Sequence, residues 1–319
     1  MKYRPLSSKG LKTYSIKDRK SKVSVEDFAS LPEKGGSFRD FLGKLPQVLA
    51  ARDLKEVASR VVKAHRAGRT VIIGMGAHVI KVGLSPIIID LMKRGVVTAV
   101  AMNGACVVHD FETAYAGKTS EDVDMELPSG AFGMAEETGS LINKAIKKGC
   151  RNGLGSSVGR MIERSRFPFR DKSILAAGAR LSIPTTVHVA LGTDILHIHP
   201  RMDGGATGEA STFDFRLFSS VVSSLSGGVY INIGSAVILP EVFLKALTLT
   251  RNLGFDVKGF TTVNMDFIQH YRPQTNVVKR PVLGGGGAGG GGGGGKGFSL
   301  TGHHEIMVPL LYAAILEGL

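Results

Sequence analysis

The sequence contains no tryptophan, only two cysteines, and few aromatic residues, 7% of its 319 positions. Cys106 and Cys150 alone cannot build a disulfide framework or a cysteine zinc site, so a reducing, cytoplasmic setting is expected. There is no run of about 18 apolar residues, so no membrane-spanning helix is expected. The opening MKYRPLSSKGLKTY lacks the apolar stretch of a secretory signal. Acidic residues are in deficit, 27 against 40 lysines and arginines, which leaves a net charge of +13.

What is present describes a folded protein. A composition of 43% hydrophobic and 21% charged residues is too apolar for general disorder. At about 100–200 residues per domain, the length suits one large domain or two smaller ones. The charge is uneven: residues 1–22 carry Lys2, Arg4, Lys9, Lys12, Lys17, Arg19, Lys20 and Lys22 against Asp18 alone. A basic arm over 1–37 is read here, followed by a single α/β domain over 38–319. The arm either solvates the chain or meets nucleic acid or an acidic partner.

Beyond the arm, strands and helices alternate. Helical spacing of Phe41, Leu42, Leu45, Val48, Leu54, Val57 and Val61 predicts a helix over 39–66. Short apolar runs predict strands at 69–74, 96–102, 185–190, 228–234, 260–265 and 298–301. Further helices are expected at 76–93 with a break near Pro86, and at 133–148, 173–181, 209–224, 235–253 and 305–316. Residues 116–131 read as a polar loop, and 195–199 as strand-like. Residues 284–295 are eleven glycines and Ala288, expected to form a flexible loop. The alternation predicts an α/β fold, a Rossmann-like parallel sheet with helices on both faces.

In such sheets ligands bind beyond the carboxyl ends of the strands. Gly74-Met-Gly76-Ala77-His78 follows a strand and opens a helix, the place where backbone N–H groups cradle phosphate. Asn103-Gly104-Ala105 and Gly234-Ser235 are two more small-residue turns after strands, and together they point to a large phosphate-bearing cofactor. Asp203-Gly-Gly-Ala-Thr-Gly-Glu209 reads either as a ligand-approaching turn or as a helix cap. His197 and His199 would face the same side of a strand. His303, His304 and Glu305 sit at a strand-to-helix turn. His109, Asp110 and Glu112 form a polar cluster open to a capping or a functional role. Lys296, after the glycine tract, is either a solvated lysine or an imine-forming one.

The order of these motifs resembles the deoxyhypusine synthase family and its bacterial relatives. The segments that carry it are Gly74 to Gly83, Val97 to Asp110, Pro200 to Glu209, Tyr230 to Ser235, Phe260 to Asp266 and Phe298 to Leu311. The turn at Asn103 to Ala105 with His109 and Asp110 also resembles the NAD-binding domain of ornithine cyclodeaminase-type enzymes. The resemblance implies a homotetramer that binds NAD and dehydrogenates an amine or polyamine. A group is then passed through an enzyme-lysine imine to an acceptor amine, with an acceptor protein among the partners the resemblance allows.

Carried across, the cofactor contacts fall at Gly76, Ala77, His78, Asn103, Gly104, Ala105, Asp203, Gly234, Ser235, Asn264, Met265, His303 and His304. Lys296, His197, His199 and Glu209 stand as catalytic candidates. The family's Trp-Gly-Lys is absent, and His270-Tyr271-Arg272 stand where acids would hold a polyamine. Two other readings stay open. One is a metal-assisted hydrolase using His197, His199, His303 and Glu305. The other is a non-catalytic nucleotide-binding protein whose basic arm engages a partner.

Overall fold

A computed structural model describes residues 3–283 and 295–319. The glycine tract, apart from Gly295, lies outside the described residues. Six strands form one parallel sheet: β1 Val71–Met75, β2 Ala99–Asn103, β3 Thr185–His188, β4 Val229–Ile233, β5 Thr261–Asp266 and β6 Lys296–Thr301. Their order is β3-β2-β1-β4-β5-β6, and every neighbouring pair is parallel. The α/β Rossmann-like architecture is therefore as expected from sequence. The chain runs outward from β1 to β3, then returns to β4 on the other side of β1, so the switch point lies between β1 and β4.

The helices around the sheet include α1 Phe38–Lys44, α2 Leu49–Arg66, α3 Ser85–Lys93, α4 Gly104–Ala116, α5 Glu136–Gly149 and α6 Leu154–Arg164. They continue with α7 Ile174–Leu181, α8 Gly204–Ser223, α9 Ile238–Asn252 and α10 His304–Leu316. Strand residues alternate between two buried layers, as pleating requires. Val71, Ile73 and Met75 join one layer with Val57, Val61 and Leu311. Ile72 joins the other with Phe218, Tyr230 and Phe243. Among the described residues no helix is long and apolar enough to cross a membrane.

Several boundaries differ from the sequence reading. The helix expected over 39–66 is broken between α1 and α2, because Pro46 forces Leu45 out of helical backbone. Residues 195–199 are not a strand; Ile195–His197 is a 3-10 turn. The helix expected from Glu209 starts at Gly204, where Asp203 caps it by accepting from the Ala206 N–H. α6 was not among the expected helices, and it carries Gly155 and Gly159, residues of low helix propensity. Their lack of a side chain instead admits close packing: an added Cβ would stand 1.9 Å from the Thr185 carbonyl oxygen or 2.4 Å from that of Leu175. Residues 3–26 are exposed and contact little of the domain.

A buried carboxylate ties α4 to α7. Asp110 accepts from the N–H groups of Ile174 at 2.8 Å and Leu175 at 3.2 Å, and from the Ser173 hydroxyl. Burial raises its pKa to about 6 against the pull of these donors. Asp110→Ala would orphan two buried N–H groups, so a loss of about 2–4 kcal/mol is expected in denaturant unfolding. A Ser224→Ala control on the exposed end of α8 should change stability by under about 0.5 kcal/mol.

Candidate functional site

The carboxyl ends of β1, β4, β5 and β6 meet in a polar seam. The Gly76 N–H donates to the Ile233 carbonyl at 2.9 Å. A Cβ on Gly76 would lie 2.2 Å from the Gly234 carbonyl oxygen, so the two turns touch backbone to backbone. Gly234 has φ +64, a left-handed conformation that favours glycine. A Cβ there would lie 2.7 Å from His304 Cε1.

His304 is fully buried. Its Nδ1 is 2.9 Å from Nδ1 of His78. Its Nε2 has no hydrogen-bond partner and lies 3.5 Å from Asp266 Oδ1. Burial lowers the His304 pKa, and Asp266 opposes that shift. Phe267 lies parallel to the His303 ring, with centroids 5.9 Å apart. Beneath them an amide chain crosses the strands: Asn232 donates to Asn264 at 2.7 Å, and Asn264 donates to Gln269 at 2.7 Å. The Asn232 Oδ1 is buried without a partner. The Ser235 hydroxyl accepts from the Leu239 N–H at 3.1 Å. Thus the structure brings together Gly76, Ala77, His78, Gly234, Ser235, Asn264, Met265, His303 and His304.

A second region lies beside β2. Asn103 caps α4 by accepting from the Cys106 N–H at 3.1 Å. The Asp194 carboxylate presses against Gly104, with Oδ2 only 2.0 Å from where a Cβ would stand. That oxygen is buried and unpartnered, and burial raises the Asp194 pKa. Here opens a cavity of about 200 Å³, lined by Lys81, Ala105, His109, Glu112, Glu121 and Asp194 among others. Three carboxylates against one ammonium make it locally acidic, within a chain whose net charge is +13.

His109 in this cavity has a defined setting. Its Nδ1 is 2.7 Å from the Thr119 hydroxyl, and that hydroxyl donates to Glu112 at 2.5 Å. Thr138 donates to the other Glu112 oxygen at 3.1 Å. Ionised Glu112 only accepts, so the single Thr119 proton points to it. Thr119 must then accept from His109 Nδ1–H, which assigns the lone pair to Nε2. Burial, aided by the Lys81 cation, pushes the His109 pKa down to about 4, so the ring is neutral near pH 7.

The other expected residues stand apart. Lys296 begins β6, paired with Thr261 at the amino edge of the sheet. The polar seam is at the other edge, roughly 16 Å away at about 3.3 Å per strand residue. Its Nζ pairs with Glu56 at 2.6 Å. His197 serves its own turn, where Nδ1 accepts from the Gly192 and Asp194 N–H groups, each at 3.2 Å. His199 is buried against Gly139 and lies 3.4 Å from Glu136; with no strand under it, the shared face expected for the two histidines does not exist. Asp203 is a helix cap paired with Lys147 at 3.1 Å. Glu209 is exposed, 3.8 Å from Arg151. Among the described residues no group of three or more His, Cys, Asp or Glu is placed to hold a metal ion, so the hydrolase set of His197, His199, His303 and Glu305 is not assembled.

Comparison with known proteins finds no matching family model and no matching curated sequence. Solved structures share the fold. AgrE, solved in a ternary complex with ornithine and NAD+, aligns at TM-score 0.51 and 18% identity over 85% of this chain. A conserved LOR/SDH-type protein from Methanococcus maripaludis aligns at TM-score 0.53 and 15% identity, over 85% of this chain and 71% of that one. An Entamoeba histolytica chain assigned as a deoxyhypusine synthase aligns at TM-score 0.49 and 10% identity, over 89% of this chain and 94% of that one, too loosely to bear on function. The chain spans only 34% of the AgrE chain.

The site makes a measurable claim about His109. Its ring should titrate near pH 4 by NMR rather than near its ordinary 6.5. The unfolded chain takes up that proton first, so acidification from pH 6.5 toward 4 removes stability on the order of 3 kcal/mol. His109→Gln should abolish this part of the pH dependence in urea unfolding, and an unchanged profile would count against the neutral buried ring.

Proposed function

We propose that this protein is an NAD-dependent enzyme acting on an amine, with dehydrogenation at the carbon beside nitrogen as its core reaction. The observation that carries the reading is the acidic cavity of Glu112, Glu121 and Asp194. It lies at the carboxyl edge of a sheet in β3-β2-β1-β4-β5-β6 order, the edge where dinucleotides bind. The NAD+ complex of AgrE, on the same fold, agrees with this reading.

The turns at Gly76 to His78, Gly234 to Ser235, Asn264 to Met265 and His303 to His304 would hold the dinucleotide, joined by Asn103 to Ala105 at the α4 N-terminus. The fit rests on buried polar atoms that lack partners, Asn232 Oδ1 and His304 Nε2, which a polar ligand along the seam would satisfy. Bound NAD+ supplies the hydride acceptor. The chain's own residues do the rest. Asp194, which lines the cavity, anchors the substrate nitrogen. His109, neutral and with Nε2 open, takes the proton released as the C–N bond becomes C=N. Lys296 has no part in this scheme, because it faces Glu56 at the opposite edge.

The test joins two readouts. NAD+ at about 100 times its dissociation constant should stabilise the fold by roughly 2.7 kcal/mol, read as a thermal shift. Diamines, polyamines and basic amino acids are then screened for NADH absorbance. Asp194→Asn should raise the KM for the amine by about tenfold or more while leaving the NAD+ shift in place. NAD+ binding with no turnover of any amine would favour the non-catalytic reading, and no NAD+ binding at all would overturn the cofactor assignment.

A further inference from the structure

We infer that the cleft between α5 and α6 is a second ligand site, one that takes an organic di- or triphosphate. It is a cavity of about 610 Å³ lined by Lys144, Lys148, Arg160 and Arg164 over a floor of Leu141, Ala145 and Met161. Two cations come from each helix, and each pair is spaced i, i+4, which aligns it on one helical face. No carboxylate lines the cleft, and among the described residues none of the four cations has an ion-pair partner. Cations nearby do pair: Lys147 with Asp203, Arg151 with Glu209, and Arg180 of α7 with Glu163 of α6.

Four like charges around one concavity repel one another, and a bound polyanion removes that repulsion. Their summed charge matches the charge of a di- or triphosphate. The arginine forks suit phosphate oxygens in bidentate geometry, and the lysines add point charges. The volume is that of a small-molecule pocket. No aromatic ring lines it, so it offers no stacking platform for the bases of a single-stranded nucleic acid. The apolar floor would carry an aliphatic portion of the ligand. None of its lining residues belongs to the seam or the acidic cavity, so this inference stands whether or not the NAD reading holds.

The experiment is calorimetric titration of the full chain with inorganic tripolyphosphate at about 0.15 M salt, where surface attraction is screened beyond about 8 Å. One site per chain is expected. The exposed or half-exposed pair Lys148→Ala and Arg160→Ala, made together, should weaken binding by about tenfold or more. Replacing Lys17, Arg19 and Lys20 of the arm by Ala, or His78 of the seam by Ala, should leave the affinity unchanged. Circular dichroism checks that each variant is folded. Absence of saturable binding overturns the inference, as does binding insensitive to the α5–α6 variant or abolished by the arm or His78 variants. A single-stranded RNA oligonucleotide bound more tightly through the same four residues would also overturn it, since the cleft would then be a nucleic-acid surface.

Discussion

The backbone contact between Gly76 and Gly234 is the constraint on which the rest of the molecule depends. The sheet reverses direction of growth between β1 and β4. Two turns must therefore leave adjacent strands side by side, one carrying the chain toward β2 and the other toward β5. They fit only because Gly76 carries no side chain at the crossing, where a Cβ would fall 2.2 Å from the Gly234 carbonyl oxygen. That closeness lets His304 slide beneath Gly234, reach His78 at 2.9 Å and remain buried. The seam is thus a consequence of packing at the switch point. The two glycines are demanded by the fold before any ligand is considered.

Electrostatics divide the surface of a basic protein into opposite local environments. A net charge of +13 attracts phosphates and repels cationic amines at long range. An amine site in such a chain therefore needs its own carboxylates, shielded from the general field. The cavity beside β2 meets that need by converging Glu112, Glu121 and Asp194 from three segments. Desolvation acts on its members in opposite directions. It lowers the pKa of His109 and raises that of Asp194, so both groups are driven toward neutrality. A bound ammonium would favour ionised Asp194 while leaving the His109 ring free to accept a proton.

How much was legible in the sequence follows from which signals are local. The strands were legible because buried parallel strands are short apolar runs bounded by glycine, and the turns after them marked one edge of the site. Helix α6 was not, because Gly155 and Gly159 break helices in isolation and permit close packing in context. The strand read into 195–199 failed because an alternating pattern of five residues fits a 3-10 turn equally well. The place of Asp194 was not legible, since its approach to Gly104 spans ninety positions of chain. No acids stand at His270 to Arg272, whereas three carboxylates converge on one cavity from α4, the loop at 121 and the turn at 194. Lys296 illustrates the reverse: its place after the glycine tract hid that a strand's first residue lies at the amino edge of a parallel sheet.

The cations of α5 and of the turn after it differ in whether they are paired. Lys147 and, just past the helix end, Arg151 are four residues apart and point to Asp203 and Glu209 around α8. Lys144 and Lys148 share the helical surface of these residues, yet they line the cleft with Arg160 and Arg164 of α6 and have no ion pair among the described residues. A helix that merely kept a protein soluble would have no reason to pair some of its cations and concentrate the unpaired ones in a concavity. Exposed pairs contribute little stability, about 0–1 kcal/mol, so the difference is not explained by stability alone. The unpaired cations make sense if they receive their counter-charge from a ligand.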